Sequence, residues 1–531
     1  MMKLYKKKVT AVKKIKMRNS SKLPINCRFD LSSMDLSILA TVIIGMLSLA
    51  FLTATGLVYA ADQGTTQKIY VAKIVVSDSE ILTAAEIDTI VSKYEGQELG
   101  IEDLQVVTAE LNQLYLDKGF ITARAILPPQ TVEAGEILIE LIEGRVGELH
   151  VVENVFTNAS YILNRIGLTK GDLFQLDRLE QELAYFNLVN DVQLIAELQA
   201  GQEFGTTDII LTAFEPPNQQ VALSMNNWGR IETGENQYGV TLLTRSLLGH
   251  RDSLTLSGFI TKGSFSGTVS YKLPAAKDGA YMQLSYYRSD GRVVQGEHDS
   301  LEINSLSGVW NLKFSRPVII DAGNRSETYF ELQRQKSRTR FSGAELLKST
   351  INKATVGFDI QIVKPDRFWY TSHKVAFGYE DNNAGLNSFL KFSGYYFLQQ
   401  AFADHGLLEV SIAAQYAPTS QIPSSEQFSI GGASTLRGYS SGARSGDNGY
   451  SVSIELKEPE TKQIRSFAYF DHGAAFSFLG ENQSVTAEDF ISSVGVGIDL
   501  KPIDAFYDKF VVGVPLDFTD IKLHLSIQAT Y

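Results

Sequence analysis

The chain has 531 residues, enough for several domains, and its 48 Lys and Arg against 60 Asp and Glu give a net charge of −12. This acidic balance argues against nucleic acid as a partner, and the single cysteine, Cys27, excludes an internal disulfide and a cysteine metal site. With 42 Gly, 29 Phe and 23 Tyr against 13 Pro, the composition favours β-rich structure with glycine turns.

The first segment has the features of an export signal. A long basic stretch precedes the uncharged residues 36–61, which end with small side chains at Val58 and Ala60. This pattern predicts a signal peptide at 1–61, cleaved after Ala60 or Ala61. An uncleaved anchor is the alternative, because the stretch is long enough to span a bilayer. Removal of 1–61 would lower the net charge to −20 and remove the only cysteine.

Two small α+β units follow in tandem. Residues 68–146 predict a strand (69–78), two helices (83–96 and 101–119) and two further strands (120–128 and 135–152), because their apolar spacing changes from two to helical and back. Residues 147–216 nearly repeat this order, with helices at 160–171 and 175–189 and strands at 191–201 and 206–217. About six residues separate the cleavage site from the first strand, so we expect no helix that plugs a pore.

Residues 217–531 form a different, third region. Helical spacing disappears after Pro217, and short segments alternate between apolar and polar residues. A soluble antiparallel sheet alternates in the same way. In a membrane these segments would have to form a closed barrel, because lipid tolerates no unpaired strand edge. At about 10 residues per spanning strand, the region is long enough for a barrel with strands in the mid-teens.

The last residues, 521–531, show this alternation most clearly. One face carries only apolar side chains and the other only polar ones: Ile521, Leu523, Leu525, Ile527, Ala529 and Tyr531 against Lys522, His524, Ser526, Gln528 and Thr530. In an exported chain rich in aromatic residues, this pattern favours a membrane strand with one face towards lipid and the other towards a lumen. We therefore expect the chain to end at Tyr531 because its last strand closes the barrel.

The stretch 119–149 resembles the first polypeptide-transport-associated (POTRA) domain of two-partner secretion transporters. The matching residues are Gly119, Phe120, Thr122, Ala125, Leu127, Pro128, Gln130, Gly135, Glu143 and Gly144. Residues 227–239 and 246–258 are similar to the first hairpin of that family's barrel. The resemblance covers essentially the whole exported chain and implies a signal peptide, two tandem α+β POTRA domains and an antiparallel transmembrane β-barrel of 16 strands.

Two further motifs are similar to those of the wider superfamily of POTRA-barrel transporters and insertases. Residues 427–442 resemble its sixth extracellular loop, whose Val-Arg-Gly-Tyr tetrad corresponds here to Leu436, Arg437, Gly438 and Tyr439. Residues 467–476 resemble its barrel-wall motif, with Tyr469, Asp471 and Gly473 at the matching positions. Leucine for valine is a mild departure. Tyrosine at 469, where Phe or Gly is usual, puts the packing of the loop tip in doubt.

The residues suit the contact that the resemblance implies. Four glycines, at 431, 432, 438 and 442, allow a long loop to fold back tightly, and a guanidinium can fork onto a carboxylate. The family places the loop inside the barrel, which implies that Arg437 meets Asp471. Without the resemblance, a solvated loop arginine and an unrelated strand aspartate would be the favoured interpretation.

Motifs for catalysis are weak. Residues 438–442 satisfy the G-x-S-x-G pattern of α/β-hydrolases, but that motif needs a strand-to-helix turn in a parallel sheet, which is not expected here. The seven His have no metal-protease spacing, and the sequence has no phosphate-binding glycine loop. We therefore predict a protein that is not an enzyme and that has no cofactor and no metal.

The resemblance implies an outer-membrane transporter with its POTRA domains in the periplasm. It would secrete an unfolded partner exoprotein, of the adhesin or haemolysin type, to the cell surface without ATP. Helix 101–118 and strand 121–127 are the candidate receptor, although core packing is the plain alternative there. Other expected partners are outer-membrane lipid and, for its own insertion, periplasmic chaperones and barrel-assembly machinery. A barrel insertase of the superfamily is the alternative function, although insertases usually have more POTRA units, and a passive porin is a second rival.

Overall fold

The computed structural model describes residues 68–531, except 297–298, 403–405, 419–421, 460–462, 478–484, 504 and 518–519. The predicted signal peptide, Cys27 and the segment in which a plug helix was not expected lie outside these residues. Among the described residues, no helix is both long enough and apolar enough to cross a bilayer.

The first α+β unit packs two helices against a small mixed sheet. Its elements are β1 (Ile69–Val71), β2 (Lys73–Val76), α1 (Ala84–Val91), β3 (Gln97–Leu99), α2 (Ile101–Asp117), β4 (Arg124–Ile126) and β5 (Glu136–Ile142). The sheet has the order β2-β5-β4, with β2 parallel and β4 antiparallel to β5, and β1 pairs separately with β3. The predicted element order is present, but the strand expected at 69–78 is two strands, β3 was not anticipated, and the strand expected at 135–152 is interrupted after Ile142, where β5 ends.

The strand expected at 120–128 is short for a physical reason. The chain leaves α2 through a turn in which the Phe120 N–H donates to the Tyr115 carbonyl at 2.9 Å and the Ala123 N–H to the Phe120 carbonyl at 3.3 Å. Residues in this turn cannot join the sheet ladder, since their backbone groups are already paired. Only β4 remains as a strand.

The apolar face of α2 forms the centre of this unit. Leu104, Val107, Leu111 and Tyr115 follow each other at helical spacing, and each is at most 3% exposed. They pack with residues of β5, which alternates between buried and exposed side chains along its length. Burial of each such aliphatic side chain contributes about 1.5–3 kcal/mol, so packing rather than helix propensity holds α2 in place.

Helix α1 begins with a capping box that should depend on pH. The backbone N–H of Thr83 donates to the Glu86 carboxylate at 2.9 Å, and Lys118 lies 3.0 Å from it. These contacts, the backbone bond first, lower the pKa of Glu86 from 4.5 to about 2. A lowered folded-state pKa means that the contribution to stability is present above 4.5 and is lost as the pH falls towards about 2.

We therefore expect Glu86→Ala to speed amide hydrogen exchange in α1 at neutral pH, with the difference from the wild type vanishing as the pH falls to about 2. Exchange rates, corrected at each pH for the intrinsic rate, measure this. Glu102→Ala is the control, because Glu102 also lies in the first turn of a helix and is exposed. A difference that persisted unchanged at low pH would contradict the proposed role of the Glu86 carboxylate.

The second unit repeats the architecture. Its elements are β6 (Arg145–Val152), α3 (Ala159–Leu163), α4 (Leu176–Val189), β7 (Gln193–Ala200) and β8 (Thr206–Phe214). The sheet has the order β6-β8-β7, again with one parallel and one antiparallel pair. Helix α3 is shorter than the predicted 160–171, because residues 164–171 form turns that contain Gly167 and Gly171. Contacts such as the Phe174 N–H to the Gly144 carbonyl, 2.8 Å, link the two units.

The rest of the described chain forms a closed antiparallel barrel of sixteen strands, which confirms the expected fold class. Its strands are β9 (Gln219–Asn226), β10 (Gln237–Arg245), β11 (Ser253–Ile260), β12 (Ser264–Pro274), β13 (Tyr281–Arg292), β14 (Asn304–Ile320), β15 (Asn324–Phe341), β16 (Ala344–Val363), β17 (Arg367–Asn382), β18 (Gly385–Ala401), β19 (Leu407–Tyr416), β22 (Asn448–Lys457), β23 (Ile464–Phe476), β24 (Phe490–Leu500), β25 (Phe506–Pro515) and β26 (Lys522–Thr530). Between β19 and β22, β20 (Phe428–Ile430) and β21 (Arg444–Gly446) form a separate hairpin.

The last strand closes the barrel on the first. Strand β26 pairs antiparallel with β9, and Tyr531 and Val221 exchange two backbone hydrogen bonds of 2.8 and 2.9 Å. Along β26, Leu523 is 59% exposed on the outer face, whereas His524 is 7% exposed on the inner face. The alternation therefore separates an apolar outside from a polar inside, as in a barrel that meets lipid on its outer surface.

The second unit is fastened to the barrel at the turn between β10 and β11. The guanidinium of Arg251, a residue only 8% exposed, donates from Nε and Nη2 to the two carboxylate oxygens of Asp191, at 2.8 and 2.5 Å. The Asn158 N–H donates to the Gly249 carbonyl at 2.9 Å, and the Ser246 hydroxyl to the Phe156 carbonyl at 2.8 Å. A bidentate pair with backbone bonds beside it fixes an orientation better than a single contact does.

Candidate functional site in the barrel lumen

A long loop between β19 and β22 lies against the inner face of the barrel. We call its residues 422–447 the lumen loop. Its turn is closed by the Gly432 N–H, which donates to the Tyr439 carbonyl at 3.1 Å, and by Thr435, whose hydroxyl bonds both backbone groups of Gly431. Gly431 and Gly432 adopt φ of +109° and +92°, a region open to glycine at little cost. The tip therefore turns sharply enough to present Arg437 to the wall.

The guanidinium of Arg437 forks onto Asp471 of β23. Nε and Nη2 donate to the two carboxylate oxygens of Asp471 at 2.8 and 2.6 Å, and the Arg437 backbone N–H adds a third bond of 3.0 Å. Arg437 is 5% exposed and Asp471 fully buried. Asp471 belongs to the inner face of the barrel, since its neighbour on β23, Phe470, points outward with 40% exposure. The two motifs that the sequence analysis singled out therefore meet inside the lumen.

Neighbouring strands complete the surroundings of this guanidinium. Nη1 bonds Glu455 of β22, Nη2 donates to the Ser453 hydroxyl at 2.8 Å, and the Tyr469 ring centre lies 3.5 Å from Cζ. Two carboxylates facing one cation would leave an excess of negative charge. Lys457 Nζ, 3.1 Å from Glu455 Oε2, and Lys509 Nζ, 3.6 Å from Glu455 Oε1, add positive charge, and Lys457 also pairs with Glu409 and Asp499 at 2.9 and 3.1 Å. The arrangement is a buried charge network with complementary partners, which is the condition under which buried ions are tolerated.

The tyrosine at position 469 fits the loop tip. Its ring packs on the guanidinium, and its hydroxyl donates to the Val512 carbonyl at 3.4 Å. Space for the hydroxyl comes from two glycines: a Cβ at Gly495 would lie 2.6 Å, and one at Gly513 2.8 Å, from Tyr469 Oη. The departure from the usual Phe or Gly is therefore compensated on the adjacent strands, and the tyrosine keeps a cation–π contact.

The remaining motif residues pack the tip onto the wall. A Cβ at Gly438 would lie 3.2 Å from the Gly513 carbonyl carbon, and φ there is +95°. Its N–H donates to His524 Nε2 at 3.2 Å. The Tyr439 hydroxyl donates to the Ser492 carbonyl at 3.0 Å. Leu436 is fully buried, and a Cβ at Gly473 would lie 3.1 Å from its Cδ1, so glycine is needed there for close approach.

A second ionic contact holds the base of the lumen loop on another part of the wall. Glu426, 4% exposed, lies 2.7 Å from Lys353 Nζ of β16 and 2.7 Å from Lys391 Nζ of β18. The Gln415 side chain of β19 donates to the Glu426 carbonyl at 3.0 Å. The loop is thus tied to β16–β19 at its base and to β22–β26 at its tip.

The residues of the POTRA motif lie apart from this site, in the first unit, where they stabilise the scaffold. The Glu143 carboxylate accepts from the N–H groups of Glu80 and Ile81, at 3.0 and 3.2 Å, and from the Tyr115 hydroxyl at 3.2 Å. Burial raises the pKa of Tyr115 to about 12, so its hydroxyl remains a neutral donor. Glu143 thus closes the turn between β2 and α1.

The other residues of the POTRA motif have structural roles in turns, close backbone contacts and hydrogen bonds. Gly135 has φ +76°, and a Cβ there would lie 2.9 Å from the Tyr70 carbonyl oxygen. A Cβ at Gly144 would lie 2.0 Å from Thr122 Oγ1. The Gln130 amide bonds both backbone groups of Leu138, at 2.7 and 2.8 Å. Gly119 adopts φ +83°, Phe120 packs at the edge of the core, and the Pro128 carbonyl accepts from Gln130.

Sequence reasoning missed several residues of the lumen site. Glu455, Ser453 and Lys457 lie on the polar face of β22, and the alternation of residues 448–457 could have placed them there. Glu426, Lys353 and Lys391 had no such signal, because they belong to a loop and to two strands far apart in the sequence. The pairing of β16, β17 and β18 and the fold of the lumen loop bring them together.

Comparisons with known proteins agree on the family. Residues 205–500 match the model for haemolysin secretion/activation proteins of the ShlB/FhaC/HecB type, and residues 69–144 match the ShlB-type POTRA domain. Heme/hemopexin transporter protein HuxB of Haemophilus influenzae is 23% identical over 471 residues, which cover 83% of this chain and 82% of that protein. Outer membrane transporter CdiB of Escherichia coli is 25% identical over 442 residues, covering 79% and 72%.

Solved structures share the fold. CdiB from Escherichia coli superposes with a TM-score of 0.59 at 20% identity, covering 94% of this chain and all of that one. BamA from Haemophilus ducreyi lacking POTRA domains 1-3 superposes with a TM-score of 0.56 at 14% identity, covering 88% and 100%. The family model matches more than half of the chain, so the chain belongs to the ShlB/FhaC/HecB haemolysin secretion/activation family of two-partner secretion transporters, which are outer-membrane β-barrels with periplasmic POTRA domains.

Proposed function

We propose that this transporter recognises an unfolded partner exoprotein of the adhesin or haemolysin type in the periplasm and threads it through the barrel without ATP. The observation that carries the proposal is the lumen loop, held on the inner wall by contacts of Arg437 and Glu426 rather than by covalent bonds. Ionic contacts can be exchanged for others when a chain enters. Folding of the exoprotein outside the cell would supply the drive, and no catalytic step is required.

The first unit would receive the exoprotein through α2 and its neighbourhood. The strand edge of β4 is partly occupied, because the Asn112 side chain bonds both backbone groups of Ala125, at 2.7 and 3.4 Å. Helix α2 also exposes apolar side chains, with Ile101 at 52%, Val106 at 48% and Leu116 at 44%. These observations favour an apolar groove beside α2 over simple addition of a strand to β4.

We further propose that the domains divide near residues 146 and 216, as the sequence predicts; the first boundary falls at the start of β6, which begins at Arg145 and pairs with β8 of the second unit. The motif Leu436 to Tyr439 would act with Tyr469, Asp471 and Gly473 to position the lumen loop during secretion. Periplasmic chaperones and the barrel-assembly machinery would insert the transporter itself, because a closed barrel with an apolar outer face has to reach the membrane without aggregating.

Quantitative proteomics of the medium, cell surface and outer membrane tests this function in a strain that lacks the gene. We expect one large protein to vanish from outside the cell and to return when the wild-type gene is restored. A passive porin would leave protein localisation unchanged, which would contradict the proposal.

The same experiment tests the alternative of a barrel insertase. Loss of the insertase would lower many unrelated outer-membrane barrels together, whereas loss of a dedicated exporter changes one exoprotein. A second measurement, the abundance of unrelated barrels at equal cell number, separates the two outcomes.

A further inference from the structure

One sector of the outer barrel surface, formed by β13–β17, carries a basic patch beside its apolar band. Two rows of residues that are neighbours across the strands define the band here. The first row is Met282, Phe314, Phe330, Val356 and Val375, and the second is Leu284, Leu312, Leu332, Ala354 and Phe377. Most of these side chains are exposed, with Val356 at 60% and Phe377 at 58%. Exposed apolar rows on the outside of a barrel are the part that lipid tails cover.

The next row towards the strand tips is aromatic with one cation in the middle. It consists of Tyr286, Trp310, Arg334, Asn352 and Tyr379, each paired with the next across the ladder. The rings of Tyr286 and Trp310 lie 4.6 Å apart. Aromatic side chains concentrate where the tails of a bilayer meet its headgroups. Arg334 therefore lies at headgroup level on the outer surface.

Basic side chains continue beyond this row. Arg288 and Lys336 lie in the following row, and Arg338 pairs with Lys348 one row further. The acidic side chains nearby are Asp290 and Asp381, which lie in the same rows, and Glu345. The Glu345 carboxylate forms an ion pair with Arg338 Nε at 2.9 Å. Within the described part of the chain, Arg288, Arg334, Lys336 and Lys348 form no ion pair, and all four are exposed. Together, these four residues and Arg338 are the basic patch.

The topology places the basic patch at the extracellular side. The second unit enters β9 at Gln219, and the barrel is antiparallel throughout, so odd-numbered strands from β9 to β19 run away from the periplasmic units. Arg334 to Arg338 fall in the second half of β15, and Arg288 in the second half of β13. The patch thus faces the outer leaflet of the outer membrane rather than the inner one.

We propose that the basic patch binds the phosphorylated headgroup of the outer-leaflet lipid, lipopolysaccharide. A groove of about 950 Å³ between the strands is lined by Arg288, Arg334, Lys336, Arg338 and Lys348 together with Trp310. Its size suits a headgroup, and its cations suit phosphate oxygens, because guanidinium and ammonium groups form charge-assisted hydrogen bonds to phosphate. The apolar rows next to it would hold the acyl chains of the same molecule. The inference does not depend on the proposed secretion function.

Binding of purified lipid to the full-length protein in detergent tests the proposal. The probes are bisphosphorylated lipid A, dephosphorylated lipid A, phosphatidylglycerol and inorganic phosphate. We expect lipid A to bind at least about tenfold more tightly than its dephosphorylated form, with affinity that falls as salt rises. Equal binding of the two forms of lipid A would overturn the proposal. Equal binding of phosphatidylglycerol, or full competition by free phosphate at the same concentration, would also overturn it.

A matched pair of triple variants locates the site. Arg288, Arg334 and Lys336 are changed to Gln in one variant, and Arg316, Lys364 and Arg367, at the periplasmic end of the same sector, in the other. We expect at least about tenfold weaker lipid A binding for the first and no change for the second. The same loss in both would overturn the assignment of the site.

Heat-modifiable mobility in gels checks that the barrels are folded. Lys336→Arg, which keeps the charge, should bind normally. If the first triple variant does not fold, the single variants Arg334→Gln and Lys336→Gln take its place, each expected to weaken lipid A binding severalfold. Unchanged binding by both single variants would overturn the proposal.

Discussion

Arg437→Ala is expected to lower secretion of the partner exoprotein at least tenfold while the barrel still assembles. The substitution leaves Asp471, which is fully buried, and Glu455, which is 8% exposed, without the guanidinium that bonds both. Removing one partner of a buried ion pair costs about 3–5 kcal/mol, so the loop tip would leave the wall. The ladder of the sixteen strands does not include Arg437, so the barrel itself should close. The measurement is the amount of exoprotein in the medium at equal transporter in the outer membrane.

Two substitutions make the Arg437 result specific. Arg444→Ala is the matched control, because Arg444 belongs to the same loop but is exposed, and its hydrogen bonds seen among the described residues go to the backbone carbonyls of Glu488 and Ala443. Arg437→Lys keeps the charge but cannot fork onto Asp471, and we expect an intermediate loss. Normal secretion by Arg437→Ala, with the loop confirmed to be displaced, would show that the contact is structural only.

Asp471→Asn, which changes the partner of Arg437, should lower secretion of the exoprotein as Arg437→Ala does. The amide cannot accept at both positions that the guanidinium occupies, so the fork is broken although the shape is kept. An Arg437→Ala, Asp471→Asn double variant is expected to lose no more than the stronger single variant, because the two side chains act through one contact. Additive losses would mean that each residue has a separate role.

Glu143→Ala is expected to lower the free energy of local unfolding of the first unit by about 2–4 kcal/mol. Its carboxylate is the common acceptor for two backbone N–H groups and the Tyr115 hydroxyl, and Tyr115 is fully buried. Each hydrogen bond to a charged group contributes about 1.5–3 kcal/mol, and part of the loss is recovered by water at the exposed turn. Hydrogen exchange of α2 measures the change and should speed up by roughly 30- to 1000-fold.

Glu140→Ala is the control for this substitution. Glu140 lies on β5, three residues before Glu143, but it is exposed and no side-chain contact to it is seen in the described chain. We expect its exchange profile to match the wild type. Glu143→Gln should fall between the two, because its amide oxygen can still accept while the negative charge is lost. Unchanged protection of α2 in Glu143→Ala would contradict the role of the carboxylate.

Periodicity predicted the order of elements well because burial repeats along the chain. Helix α2 and strands β5 and β8 stand where apolar spacing predicted them, since one face of each meets a core. Periodicity did not predict the bounds of β1, β3 and β4, which have only three residues each. Such short strands exist because their neighbours offer partners, and a window of a few residues contains no repeat to detect.

The lumen site, too, was predicted in part from the sequence and decided in part by the structure. The resemblance to a known family singled out Arg437 and Asp471, and the alternation of β22 and β23 puts Glu455, Tyr469 and Asp471 on one face. Which of these carboxylates receives the guanidinium, and from which atom, depends on the register between β22 and β23 and on the fold of the loop tip. Neither the register nor the fold of the loop tip can be predicted from the spacing of residues along one strand.

By itself, the sequence determined the faces: which residues are apolar or polar along each strand, and therefore that residues 217–531 could close into a barrel with a polar lumen. Only the tertiary structure decided which side chains from distant parts of the sequence contact each other. Glu426 meets Lys353 and Lys391 across 73 and 35 residues of chain, and Arg334 comes to lie in an aromatic row of four other strands. The reason is physical, because periodicity reports the direction of each side chain, whereas contacts between strands are set by register and by closure of the whole sheet.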